Sequence, residues 1–187
     1  MLKIQDVREN IGVNEFNSLI NQFKCTLDPD IESFLKNKAV DFEKRRLSST
    51  YLIFDEEKLA NGKFFIEGYF TLTHKICSVS NCVSNNLRKK VFYGYSTKNT
   101  ISVHTVLIAQ LGKYINNEEK SALKANKILD LALSIIYKSN KYIACNSILI
   151  ECRDIPKLKE IYKKNDFVEF QYIDGQEYPV QLICFVP

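Results

Sequence analysis

The chain has 187 residues, 45% hydrophobic and 26% charged, with a formal net charge of +4. These are ordinary globular values; they exclude wholesale disorder and lead us to expect one domain spanning 1–187 with room for a sizeable core. Glycine and proline are too scarce for a flexible linker, and no apolar run approaches membrane-spanning length.

The mild positive excess suits an anionic ligand or a nucleic-acid partner as well as a plain basic surface. Met1–Asn10 is charged and has no apolar segment of signal-peptide type. Cys145 and Cys152 lie seven apart on one expected strand and so face opposite sides. His74, Cys77 and Cys82 cluster without a paired CxxC spacing, so no metal site is expected. Reduced thiols, a cytoplasmic location and no membrane partner are the expectations.

In chain order, Val13, Phe16, Leu19, Ile20 and Phe23 recur at helical spacing, giving a helix over Asn14–Phe23. Asp28-Pro29 starts a second helix, whose stripe Ile31, Phe34, Leu35, Phe42 runs as far as Glu43. Arg45 and Arg46 follow, either complementing the helix dipole or contacting an acidic substrate. Thr50–Phe54 reads as a strand, Asn61-Gly62 as a hairpin turn, and Phe64–Ser80 as a long strand or two short ones. Gly68 inside it marks a bulge or a close backbone approach. Asn81–Thr100 reads as a polar loop over the sheet and a place for acceptor specificity. Its Arg88, Lys89 and Lys90 are followed closely by Tyr93 and Tyr95, a pattern that also suits a nucleic-acid backbone and stacked bases.

The richest stretch runs from His104 to Phe167. Ser102–Gly112 is almost continuously apolar, as in a central strand covered on both faces. A basic loop, Asn116–Lys124, leads into a helix with the stripe Ala125, Ile128, Leu129, Ala132, Ile135, Ile136. Ala144–Cys152 is the next strand; Asp154 then caps a helix with Pro156 in its first turn and Ile155, Leu158, Ile161 and Tyr162 on its buried face. Phe167–Ile173 and Val180–Val186 close the chain as two strands. Strand, helix, strand, helix in this order is a βαβα unit with a parallel strand pair, and the loop opening its long helix is a natural phosphate site.

Three segments carry a resemblance: Val106–Lys113, Lys120–Leu129 and Pro156–Phe167. They resemble the Gcn5-related N-acetyltransferase superfamily. The upstream Phe23–Cys25, Leu27-Asp28, Phe34-Leu35 and Gly68–Leu72 are similar to its bacterial and mobile-element branch, which includes acetyltransferase toxins. The resemblance implies an α/β fold with a mixed, mostly antiparallel central sheet, splayed central parallel strands and helices on both faces. It implies an acetyl-CoA-dependent N-acetyltransferase that moves an acetyl group to a primary amine by direct attack on the thioester. A toxin-type enzyme acting on aminoacyl-tRNA and a catalytically lapsed binding module stand beside it. Acetyl-CoA and an amine acceptor are the implied partners, with tRNA, an antitoxin and a second copy of the chain as further candidates.

The family pattern Gln/Arg-x-x-Gly-x-Gly/Ala grips the pyrophosphate through backbone N–H groups, because small residues let the backbone approach. It falls on Lys120, Ser121, Ala122, Leu123, Lys124 and Ala125, followed by Asn126. Lys120 keeps the charge without the bidentate fork, and Leu123 replaces the first glycine. Pantetheine would lie along Ile108, Ala109, Gln110, Leu111, Gly112 and Lys113, where a strand N–H polarises the thioester carbonyl. Tyr162 matches the family's acid for the leaving thiolate. Asp166 stands where the motif has a glycine, and Ile155 where it has a capping Asn. Glu67 and Glu151 are candidate general bases, through water, with His74 and His104 as further options.

Overall fold

The computed structural model describes residues 1–93, 101–117 and 121–186. In chain order the elements are β1 (Leu2–Lys3), α1 (Ile4–Ile11), α2 (Val13–Gln22), α3 (Pro29–Asn37), α4 (Ala39–Lys44), β2 (Ser49–Phe54), α5 (Glu56–Ala60) and β3 (Ile66–Ser78). There follow α6 (Asn85–Val91), β4 (Ser102–Lys113), α7 (Ala125–Ser139), β5 (Ser147–Cys152), α8 (Pro156–Lys163), β6 (Val168–Tyr172) and β7 (Val180–Phe185). The strands form one sheet in the order β1-β2-β3-β4-β5-β7-β6. The registered pairs β1–β2, β2–β3, β5–β7 and β6–β7 are antiparallel and β4–β5 is parallel, as expected for a mixed, mostly antiparallel α/β fold. The parallel register joins Val106–Ile108 to Ile148–Ile150 and ends there, although β4 runs on to Lys113 and β5 to Cys152.

Two compact units are present, Met1–Thr73 with Ala109–Ser134, and His74–Ile108 with Ile135–Pro187. The first buries Phe16, Leu19, Ile20 and Phe23 of α2 and its C-cap with Leu35, Leu52, Phe54 and Tyr69, so the expected stripe of α2 is its core face. Tyr69 is fully buried, and its hydroxyl donates to the Ile31 carbonyl at 2.6 Å, which satisfies the one polar atom the ring carries inside. The second unit buries Cys77, Val79, Val83, Val91 and Phe92 with Leu149, Phe170 and Ile183.

Local structure departs from the sequence expectations at four places. The helix expected to reach Glu43 bends at Lys38 (φ −124°, ψ −33°), the C-cap of α3 and N-cap of α4; the bend sets the Phe34 and Phe42 rings edge-on at 5.7 Å. The β2–β3 connection is no simple hairpin turn: Asp55 Oδ1 accepts from the Lys58 N–H at 2.9 Å and starts α5, with Gly62 (φ +72°) following it. The polar stretch 81–93 holds α6, capped by Ser84 and anchored by buried Val91, with Arg88, Lys89 and Lys90 in the dipole-favoured last turn. Tyr95 lies outside the described residues. Asp154 does not cap α8; Ile155 occupies the N-cap without a side-chain bond, and Asp154 pairs with Lys159 at 2.6 Å.

All six cysteines are free, with Cys25, Cys77, Cys152 and Cys184 buried. Among the described residues no group of three His, Cys, Asp or Glu could hold a metal, and no helix is long and apolar enough to cross a membrane.

Candidate active site

The start of α7 is the best-formed part of the expected phosphate loop. Lys120 lies outside the described residues, and Ser121–Asn126 are described. Ser121 is 7% exposed; its Oγ donates to Glu67 Oε1 at 2.9 Å and accepts from the Leu123 N–H at 2.9 Å. Its own N–H donates to the Tyr114 carbonyl at 3.1 Å, and the Tyr114 N–H donates to the Glu67 carbonyl at 2.8 Å. The backbone N–H groups of Lys124, Ala125 and Asn126, at the opening of α7, have no partner among the described residues. Ala122, Lys124, Ala125 and Asn126 are all exposed.

Leu123, which the family pattern would make a glycine, is half-buried and turned toward β3. A Cβ placed on Gly68 would lie 3.1 Å from Leu123 Cδ2, 3.0 Å from Ile128 Cδ1 and 2.7 Å from the Gly112 carbonyl oxygen. Both readings of Gly68 are realised: besides the close approach, Ile53 pairs with Gly68 and Phe54 with Ile66, so Glu67 is the extra residue of a bulge beside Gly68. A Cβ on Gly112 would overlap the Tyr69 ring. Both glycines are therefore fixed by space rather than by backbone angle.

Along β4, Ile108 and Gly112 are buried, while Ala109, Gln110, Leu111 and Lys113 are half-buried. The expected full cover of this strand is not found, since Val106 and Leu107 are also half-buried. A cavity of about 320 Å³ in the same unit, lined by Cys25, Thr26, Glu32, Ser33 and Lys36 among others, includes none of the expected cofactor residues.

In the second unit, α8 places Tyr162 at 8% exposure with its ring edge-on to Phe167 at 6.1 Å. Burial, with a smaller push from the neighbouring Cys152, drives its phenol far above the usual range, so it stays protonated at neutral pH. The turn after α8 carries Asp166 at φ +63°, the left-handed conformation that explains a glycine in the family pattern.

The candidate bases differ in their surroundings. Glu67 Oε1 is engaged by Ser121. Glu151 accepts from Lys75 Nζ at 2.7 and 2.6 Å and from Gln181 Nε2 at 2.6 Å. Gln181 is 1% exposed and in turn accepts from Gln171 Nε2 at 2.7 Å and from the Cys77 thiol at 3.3 Å. This network was not legible beforehand, because its members are scattered over four strands. His74 and His104 are exposed. Arg45 pairs with Asp41 at 3.4 Å on the surface, in keeping with a helix-end role, and Arg46 follows at φ +58°.

Among solved structures, this chain is similar to AtaT complexed with acetyl-methionyl-tRNAfMet, with a TM-score of 0.64 and 15% identity over 90% of this chain and 86% of that one. A Tyr-to-Phe mutant of KacT matches with a TM-score of 0.66 and 14% identity over 92% and 91%. AtaTR bound with AcCoA matches with a TM-score of 0.62 and 13% identity over 89% and 86%. The sequence matches no protein-family model and no curated protein sequence. At these identities the shared property is the fold, which is that of the AtaT and KacT structures.

Proposed function

We propose that the protein is an acetyl-CoA-dependent N-acetyltransferase of the toxin type, whose acceptor is the α-amine of an aminoacyl-tRNA. The carrying observation is a fold match over nine tenths of the chain to AtaT complexed with acetyl-methionyl-tRNAfMet. The fit to acetyl-CoA rests on this chain's own groups. The N–H groups of Lys124, Ala125 and Asn126, without partners among the described residues, and the dipole of α7 suit a pyrophosphate, with Ser121, Ala122 and Leu123 shaping the loop and Lys120 adding charge. Ile108–Lys113 runs past the end of its parallel register, as a strand that receives pantetheine would.

Tyr162 holds a proton for the departing thiolate, since burial keeps its phenol neutral. An α-amine titrates near 7.7–8.0, so a sizeable fraction is already neutral at physiological pH and no strong base is needed. The proton that the attacking amine sheds passes to water, since both carboxylate oxygens of Glu151 are engaged by Lys75.

A catalytically lapsed module loses its main arguments, because the departures from the family pattern are absorbed locally. Leu123 faces the space above Gly68, Asp166 adopts the glycine-like angle, and Ile155 forfeits only a cap. An antitoxin protein is a further partner on this reading, as AtaR is for AtaT. The test is a thermal-shift titration with acetyl-CoA and CoA. At ligand one hundredfold above Kd, the gain of about 2.7 kcal/mol raises Tm by about 5–10 °C. Thiol release on adding charged tRNA, and none with uncharged tRNA, is then expected. No shift at millimolar acetyl-CoA would sink the proposal.

A further inference from the structure

We infer that Glu67 and Ser121 form a latch that positions the pyrophosphate-binding start of α7, with Leu123 as its anchor in the space left by Gly68. This rests on the acetyl-CoA reading and changes the role of Glu67 within it, from proton acceptor to positioning residue.

The geometry points there because the bonds close a ring. The chain leaves β4 at Tyr114 and returns at Ser121, and both ends are tied to Glu67. The Tyr114 N–H meets the Glu67 carbonyl at 2.8 Å, the Ser121 N–H meets the Tyr114 carbonyl at 3.1 Å, and the Ser121 hydroxyl meets the Glu67 carboxylate at 2.9 Å. A serine hydroxyl has one proton and two lone pairs. Here the proton goes to a carboxylate, a charge-assisted bond, and a lone pair takes the Leu123 N–H at 2.9 Å. The Leu123 N–H is thereby consumed, and the donors without a partner among the described residues are the next three, Lys124, Ala125 and Asn126. At 7% exposure the serine is shielded from competing water, so the latch fixes where those donors point.

Leu123 completes the device. The family pattern places small residues in the loop so that the backbone can approach phosphate. In this chain the small residue sits on the strand beneath: Gly68 has no side chain, and Leu123 Cδ2 shares the room with Ile128 Cδ1 and the Gly112 carbonyl. The bulky residue thus lies on the side of β3 and leaves the following N–H groups uncovered. Glu67 and Gly68 are adjacent on β3, so one strand segment supplies both the carboxylate and the space.

The test compares Glu67→Gln, Glu67→Ala and Ser121→Ala with the unchanged protein. CoA affinity is read by calorimetry, and kcat and KM are read with acetyl-CoA and with acetyl-pantetheine, which lacks the pyrophosphate. Glu67→Gln keeps an oxygen acceptor for Ser121 and is expected to stay within about threefold of the parent throughout. Glu67→Ala and Ser121→Ala are expected to weaken CoA about tenfold, with kcat at saturation and kcat/KM for acetyl-pantetheine nearly unchanged. A large fall in kcat for Glu67→Gln with KM unchanged makes Glu67 the base and overturns the inference. Equal loss with both acetyl donors also overturns it, since that describes a general folding role. Unchanged CoA affinity in both alanine variants does the same. If the parent itself fails to bind CoA, the acetyl-CoA reading falls first and the latch falls with it.

Discussion

Tyr162 sits at a position that helical spacing alone assigns to the core, and the structure does bury its ring, against Phe167. Burial holds its phenol protonated at neutral pH. Tyr162→Phe is expected to lower kcat at least tenfold while CoA affinity by calorimetry stays within about twofold. An unchanged kcat removes Tyr162 from the mechanism. Leu123→Gly makes a different point. If the side chain obstructed phosphate, its removal would tighten CoA; because it anchors the loop over Gly68, we expect CoA to bind about three- to tenfold more weakly. The burial of Tyr162 was legible because helical spacing puts it on the apolar face of one short helix. The Glu67–Ser121 bond was not legible, since the partners are far apart in sequence and each is an ordinary polar residue in its own window.

Elements with regular patterns were legible, and those built on few buried residues were not. The stripe of α2 and the β-branched and aromatic runs of β2 and β5 identify themselves by period, because each must bury a whole face. The helices α5 and α6 each bury at most one side chain, so periodicity carries no signal; the capping residues Asp55 and Ser84 were the available clue. The N-terminus of α8 shows the converse case, a helix without the cap its sequence suggested. Ile155 has extended angles (φ −114°, ψ 117°) suited to a capping side chain but carries an apolar one at 47% exposure. Ile155→Asn is therefore expected to stabilise the protein by about 1 kcal/mol, seen as a Tm rise of about 2–4 °C. An unchanged or lowered Tm would show that the cap position is not limiting.

For the whole molecule, buried thiols are expected to contribute to a loss of stability at alkaline pH. Burial pushes Cys77 and Cys152 up from 9.0 to about 11. Between those values the unfolded chain has lost these protons while the folded chain keeps them. The unfolded state binds fewer protons, and the unfolding free energy falls as pH rises. Stability from this source is full below about pH 9 and is lost progressively above it, by up to about 1.4 kcal/mol per pH unit for each thiol. Denaturant unfolding at several pH values from 8 to 10.5 should show this slope, and Cys152→Ala should flatten it. An unaltered slope in that variant would exclude Cys152 as a contributor.

The path of the chain through its two units has a consequence for synthesis. The first unit is assembled from Met1–Thr73 and Ala109–Ser134, and the stretch between belongs to the other. The N-terminal segment therefore cannot complete its core when it leaves the ribosome. It must wait for the intervening stretch, about 2–7 s at 5–20 residues per second, and then for α7. The Tyr114–Ser121–Glu67 ring can close only after that wait, so a nascent chain stopped short of Ser121 has no latch and no α7 with which to receive a pyrophosphate. On the proposed function, acetyl transfer would appear only after Ser121, α7 and Tyr162 had all been made.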